Sequence, residues 1–350
     1  MRVTSPRHRS PRRRAGWGVA ALIPVLLFSA CAAPTPTPTR TPKPVASSTP
    51  TPEVVALAPL RGTPQDPAHA GAPAFSAKID DHEGARPQIG LERTDIVFEE
   101  LVEGGLTRYV AIWQSDIPDL LGPVRSIRPM DPDIITPFGG IVAYSGGQEK
   151  FVAMMEAAPV VNIAFDTDQS GLFYRIDSKD APHNVVVKAT EAVAQHPNLA
   201  PPVQQFPYAP TPAEATAAVS GTPTATINSR FSDSRWPSWG WNVATGSYLR
   251  SQEGEPDLDG NGARLQATNV LVLRVGIDWT YGEVPKTVMI GSGEAWVSTG
   301  GKTLHATWSK DAAGSLIRLV ADNGALITLA GGNTWIELVP TGTGSVELVP

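Results

Sequence analysis

Arginines recur through one stretch of the chain: Arg86, Arg108, Arg125, Arg128 and Arg175, joined by Lys179. A guanidinium fork matches the paired oxygens of a phosphate or carboxylate, so arginines that converge make an anion pocket. Interleaved with them are Asp80, Asp81, Glu99, Glu100 and Glu103. The same residues also fit a second arrangement, in which acids and arginines pair with one another and lock loops together. His82, Ser126, His183 and Asn184 complete the polar set. A serine beside a histidine base would make a hydrolase, but no Gly-x-Ser-x-Gly elbow surrounds Ser126. Asp80, Asp81, His82 and His183 are of the types that bind divalent metals. No further ligand stands at zinc-type or helical spacing, and aspartates capping a turn account for the run, so no metal is assigned. Glu99 and Glu100 resemble a glycosidase pair in type only, because adjacent strand residues point to opposite faces.

Two other groupings carry chemistry. Asp257-Leu258-Asp259-Gly260-Asn261-Gly262 opens like a calcium loop, yet Thr268 stands where an EF-hand needs glutamate. A glycine-rich hairpin loop is the simpler reading. Trp236, Trp239 and Trp241 crowd one short segment. Exposed, they would form an aromatic patch for stacking a sugar or a peptide; buried, they would anchor the core. Alternation puts Trp239 and Trp241 on one face of an extended segment. The chain has no phosphate loop, no dinucleotide fingerprint and no basic-aromatic pattern for nucleic acid. No cofactor and no nucleic-acid partner are therefore expected.

The elements that must position these residues follow from pattern. Phe75–Ile79 alternates as a strand, and Asp95–Val102 and Thr107–Trp113 flank the Gly104-Gly105 turn as a hairpin. Gly139–Gly147 reads as a buried strand, Glu149–Ala158 as a helix ending before Pro159, and Thr190–Gln195 as the start of another. Further along, Ala225–Phe231, Trp241–Arg250, Asn269–Asp278, Thr287–Val297, Thr303–Trp308, Leu316–Val320 and Ala325–Val339 read as strands between turn signals. The expected fold class is α+β. An N-terminal mixed α/β domain, a layered sheet with helices, spans 75–205. A connector covers 206–224, a β-rich C-terminal domain 225–340, and a frayed tail 341–350.

The front of the chain is of another kind. Residues 1–14 are basic, 15–30 are short and apolar, and Cys31 is the single cysteine. That layout is an export signal, and Leu27-Phe28-Ser29-Ala30-Cys31 resembles a lipobox whose Phe28 departs from the usual aliphatic residue. Lipidated at Cys31, the chain would sit on the extracytoplasmic face of the bacterial cell membrane, since two acyl chains give stable anchoring. Release near Ala30 as a secreted protein is the alternative. Residues 32–74 are rich in Pro and Thr, a semi-rigid tether. The whole chain of 350 residues has a net charge of −6, and six arginines with no acid precede Cys31, so the remainder is more acidic still. Bulk charge thus excludes general binding to nucleic acid or anionic membrane. No stretch is apolar and long enough for a polytopic membrane protein.

The run KIDDHEGARPQIGLERTDIVFEELVEGGLTRYVAIWQSDIPDLLGPVRSIRP, followed by YSGG, FYRIDSKDAPHN and a closing TWIELVP, resembles the YerB-like lipoprotein family, domain of unknown function 3048. The resemblance covers nearly all of 75–340. It implies a bacterial cell-envelope lipoprotein with an N-terminal α/β domain and a C-terminal domain, and implies no activity. Asp81 stands where that family often has asparagine, and the tether is unusually rich in proline. The leading expectation is non-catalytic: an anionic envelope ligand or a partner protein bound by the arginine-lined loops. The alternative is a hydrolase or transferase acting on a cell-wall or lipid-phosphate substrate in the same cleft.

Overall fold

The structure, a computed structural model, describes residues 56–350. The segment 1–31 with Cys31, and the tether as far as residue 55, lie outside the described residues.

A long mixed sheet organises the molecule. Its strands run, in spatial order, Arg318–Ala321, Lys302–Lys310, Gly291–Thr299, Asn269–Val275, Thr334–Pro340, Ile96–Leu101, Thr107–Trp113, Phe75–Asp80, Ile141–Tyr144 and Val161–Ala164. Ile96–Leu101 and Thr334–Pro340 lie side by side in parallel, so both halves of the chain share one sheet. These central strands are buried on both faces and mostly apolar, as strands covered on two sides are. One face carries Phe98, Val110, Ile112, Val142 and Ile336, packed against Ile134, Ile135, Phe151 and Met155 of helices Asp131–Ile135 and Glu149–Glu156. The other face carries Ala77, Ile79, Val97, Ala111 and Trp335. It is roofed by a second sheet that contributes Ile227, Trp239 and Tyr248. The fold is therefore α+β with a β-rich C-terminal part, as expected.

The tether, the connector and the tail each differ from the sequence reading. The expected tether stops earlier than residue 74: Leu60 is fully buried and the Tyr208 hydroxyl donates to its carbonyl at 2.7 Å. The connector contains a short helix, Thr216–Ser220, and a two-residue strand, Thr222–Pro223, on the main sheet. The tail is not frayed. Ser345–Val349 pairs antiparallel with Thr226–Arg230, and alternation buries part of Val346 and Leu348. Apolar residues every second position had the strand signal, but so short a run has no meaning without its partner. Among the described residues no helix is long and apolar enough to cross a membrane.

Candidate functional site

Asp80 and Asp81 end the first strand and part there. Asp80 follows the side of Lys78 and Arg108, under the helical layer; Asp81 turns to the side of Thr107 and Tyr109, under the second sheet. Strand alternation alone makes that division. It splits the expected polar set into two clusters.

On the helical side, the Pro-bounded segment 123–129 is laced across the strand ends. The Asp80 amide donates to the Pro123 carbonyl at 2.9 Å, and the Arg125 amide to the Lys78 carbonyl at 2.7 Å. Buried Val124 and Ile127 pin this strap and turn Arg125 and Arg128 toward Arg108. Asp80 Oδ2 lies 3.2 Å from Arg125 Nε and 2.6 Å from His183 Nδ1. Arg128 Nε donates to Glu103 Oε2 at 2.8 Å. Arg108 is 9 % exposed and donates to the Ser126 carbonyl at 2.9 Å. It has no carboxylate ion-pair partner among the described residues. Burial and the neighbouring Arg128 charge pull its pKa down to about 10. Behind it, buried Lys78 is held by Glu100 and by Asp131 at 2.7 Å. Burial brings the lysine down to about 8 despite Asp131.

His82 and His183 stack with ring centroids 4.1 Å apart and planes at 12°. The Gly84 amide donates to His82 Nδ1 at 3.0 Å, so a neutral His82 carries its proton on Nε2. His183 has the opposite arrangement. Its Nδ1 faces the Asp80 carboxylate and carries the proton, which leaves Nε2 as the accepting nitrogen. Ser126 Oγ has Ser145 Oγ at 3.4 Å. Arg175 and Asn184 stand apart from the arginine group. Arg175 donates to Asn184 Oδ1 at 2.6 Å, while Asn184 Nδ2 donates to the carbonyls of Ile176 and Lys179, shaping the loop that presents His183. Lys179 donates to the Arg86 carbonyl at 3.0 Å.

Beneath the second sheet each arginine meets a carboxylate, though Glu99 Oε1, Glu337 Oε2, Arg235 Nε and Arg250 Nε are buried without a hydrogen-bond partner. Asp81 accepts two bonds from Arg86, at 2.9 and 3.0 Å, one from Tyr109 at 2.6 Å and one from Thr107 at 2.7 Å. Burial alone would raise its carboxyl; the Arg86 guanidinium and these bonds outweigh burial and hold it below the usual range. Arg86 is thus committed to Asp81 and to Glu253, and is absent from the arginine group. Glu99 pairs with Arg250 at 2.5 Å, and Arg250 also reaches Asp257. Glu99 lies opposite Glu337 in parallel register, and burial and that second carboxyl raise Glu99 well above its ordinary range. The Trp239 indole donates to Glu337 at 2.6 Å.

The three tryptophans do not share a surface. Trp239 is fully buried, Trp241 rests on Tyr248 at 4.9 Å, and only Trp236 is open, at 44 % exposure. The carboxylates of the calcium-like loop are also engaged: Asp257 with Arg250, and Asp259 with the Leu91 amide at 2.7 Å. Among the described residues no three His, Cys, Asp or Glu side chains gather as a metal site. A hollow of 780 Å³ runs past Glu103, the partner of Arg128, and past Phe231, Trp279 and Glu283.

Sequence reading missed Lys78, Asp131, Arg235, Arg250 and Glu337, and read Asp257 only as part of a calcium-like loop. A signal existed for Lys78 and Glu337, charges inside strands that are otherwise apolar on both faces. Arg235, whose guanidinium bonds the Asp81 carbonyl from 154 residues away, had none.

Residues 60–200 match the family described as "Protein of unknown function (DUF3048) N-terminal domain", and residues 227–336 match its C-terminal domain. The chain belongs to the DUF3048 family. A stretch of 129 residues is 37% identical to "Putative lipoprotein YerB" of Bacillus subtilis (strain 168). That match takes in 36% of this chain and 38% of the relative's length. The crystal structure of YerB protein from Bacillus subtilis superposes with a TM-score of 0.72 at 23% identity, over 83% of this chain and 99% of that one. The two share a fold. In DUF3048 terms, the arginine group lies wholly in the N-terminal segment. The Asp81 and Glu99 network takes Arg235, Arg250 and Glu337 from the C-terminal portion of the chain.

Proposed function

We propose that this chain is a lipid-anchored protein of the bacterial cell envelope that binds an anionic ligand or partner through Arg108, Arg125 and Arg128. The anchor reading rests on the basic, apolar and small-residue run before Cys31, and on the lipoprotein designation of its relative. The binding reading rests on one observation. Arg108 is almost wholly buried, lies in a group of arginines, and is satisfied by a backbone carbonyl where a carboxylate would be expected. A buried guanidinium without a counter-ion is costly to the free protein, and an anion arriving there removes the cost.

Calorimetry of the detergent-solubilised full chain against inorganic pyrophosphate tests this. Arg125→Ala should weaken binding about tenfold or more, as loss of a charge-assisted contact does. Arg318→Ala, at an exposed position, should leave it unchanged. Equal affinity in wild type and Arg125→Ala would sink the reading. Cys31→Ser should move the chain from the detergent phase to the aqueous phase on partitioning.

A second reading, a hydrolase or transferase on a phosphate-bearing substrate, draws on the Asp80–His183 pair, which has the orientation of a carboxylate-supported general base. It requires turnover that His183→Gln abolishes. Binding is the stronger reading because no nucleophile stands at His183 Nε2 among the described contacts.

A further inference from the structure

We infer that two neighbouring hollows, one walled by Trp279 and the other by Trp236, form a cleft that binds a neutral glycan. The inference stands apart from the anion reading and takes none of its three arginines as a ligand contact.

Position carries the first step. The hollow of 780 Å³ lies among the turn Glu103–Gly105, the turn that follows Thr226–Arg230, and the hairpin that bears Trp279 and Glu283. A second hollow, of 350 Å³, lies on the outer face of the second sheet beside Trp236. The two share walls. Phe231 and Asp233 line the first and Arg230 the second, while Thr343 lines the first and Ser345 the second. Arg230 Nη2 donates to Asp233 Oδ1 at 2.6 Å, so this ion pair stands on the boundary between them. Ser232 Oγ donates to the Gly105 carbonyl at 2.5 Å and ties two walls of the first hollow together. Both volumes fall within the roughly 300–1,000 Å³ of small-molecule sites.

Side-chain chemistry carries the next. Trp113, Trp239, Trp308 and Trp335 are buried, whereas Trp236 and Trp279 are 44 % and 55 % exposed. One open indole in each hollow fits the C–H face of a sugar ring, where a cation site would gather several aromatics into a cage. Strand register supplies partners for hydroxyls. Glu347, Asn228 and Ser238 stand in one row across three strands of the second sheet, and Arg230 and Ser345 in the next row on the same face. Carboxylate, amide, hydroxyl and guanidinium thus lie side by side, and a sugar hydroxyl both donates and accepts.

The charges select no ion. Arg230 is the one cationic side chain that lines either hollow among the described residues, and Asp233 holds it. An anion therefore finds no open counter-ion. Glu103 is held by Arg128, and Glu347 accepts from Asn228 at 3.0 Å. That leaves Glu283 as the one lining carboxylate without an ion pair or side-chain hydrogen bond among the described residues, and a chain of cations has no second one to engage.

The test titrates chitotetraose, cellotetraose, their monomers N-acetylglucosamine and glucose, and tetralysine into the full chain in a sugar-free detergent. Binding is read by calorimetry and tryptophan fluorescence. A tetrasaccharide should bind at least about tenfold more tightly than its monomer, because it reaches both indoles. Trp236→Ala and Trp279→Ala should each weaken that binding about tenfold, with circular dichroism unchanged because both side chains are exposed. Leu326→Ala, at an exposed position outside both hollows, should leave it unchanged. Affinity should hold between about 0.05 and 0.5 M salt, which would erode an ion pair, and Glu283→Gln should retain it within about threefold. Salt-sensitive binding of tetralysine with no saccharide bound assigns the hollows to a cationic peptide and overturns the inference. Failure of both tetrasaccharides to bind overturns it too, as does saccharide binding that neither tryptophan variant weakens. A loss confined to one of the two variants overturns the shared cleft.

Discussion

Asp80 and Asp81 are neighbours in the chain and belong to different chemistry. Asp80, itself buried, is shared by Arg125 and His183, while Asp81 is sealed among Arg86, Tyr109 and Thr107. Removing Asp81 takes a fully buried carboxylate away from Arg86, which keeps only Glu253. Asp81→Ala should cost about 3–5 kcal/mol, the range for breaking a buried pair, read by urea denaturation. A loss below about 1 kcal/mol, the scale of an exposed pair, would contradict the burial described. The pH dependence has a definite sign. The Asp81 carboxyl is held below its unfolded range, so its contribution is present above that range and lost as acid protonates it in the folded state. Glu99 is raised and runs the other way, its contribution being lost as pH rises through its folded value.

At the scale of elements, the turn Leu91–Arg93 and the loop around Asp259 form a clasp between distant parts of the chain. Asp259 Oδ2 accepts from the Leu91 amide at 2.7 Å, and Asn261 Nδ2 donates to Glu92 Oε1 at 2.9 Å. Burial and the Asp259 charge push Glu92 up to about 7. A carboxyl raised on folding contributes below its unfolded pKa, about 4.3, and the contribution fades as pH climbs through about 7. Wild-type Tm should therefore decline from pH 6 to pH 8, on the order of a degree or two because Glu92 is only partly buried. Glu92→Gln should flatten that decline. Parallel Tm profiles of the two chains in scanning fluorimetry would show that the clasp carries no such linkage.

For the molecule as a whole, the decisive feature is the parallel pairing of Ile96–Leu101 with Thr334–Pro340. It joins the segments matched by the two DUF3048 domains into one sheet, with one core on each face. Full-length chain should unfold in a single transition, with far-ultraviolet circular dichroism and tryptophan fluorescence coinciding. Residues 56–205 alone should fail to give a folded monomer. Such a fragment bares the Ile96–Leu101 edge and strands buried Glu99 without Arg250. A dispersed, monomeric amide spectrum from that fragment would show that the N-terminal segment folds independently.

Local pattern determined much of this. Alternation and paired glycines located the Ile96–Leu101 and Thr107–Trp113 hairpin within a residue or two, because strand period and turn chemistry are properties of adjacent residues. The motif run brought Asp80, Arg108, Arg125, Arg128 and His183 into one candidate set; Asp80 touches Arg125 and His183, while Arg108 and Arg128 both donate to the Ser126 carbonyl. Pattern also misjudged extent: Ala325–Val339 read as one strand, and only Thr334–Pro340 is one in the main sheet. What tertiary structure alone decided was which arginine keeps its acid. Arg86 finds Glu253 across 167 residues, and Arg250 finds Glu99 across 151. Arg108 finds a carbonyl. Charge types and spacing cannot distinguish these fates, because an ion pair's partner is set by where two distant strands come to lie, and by which face each residue takes when they do.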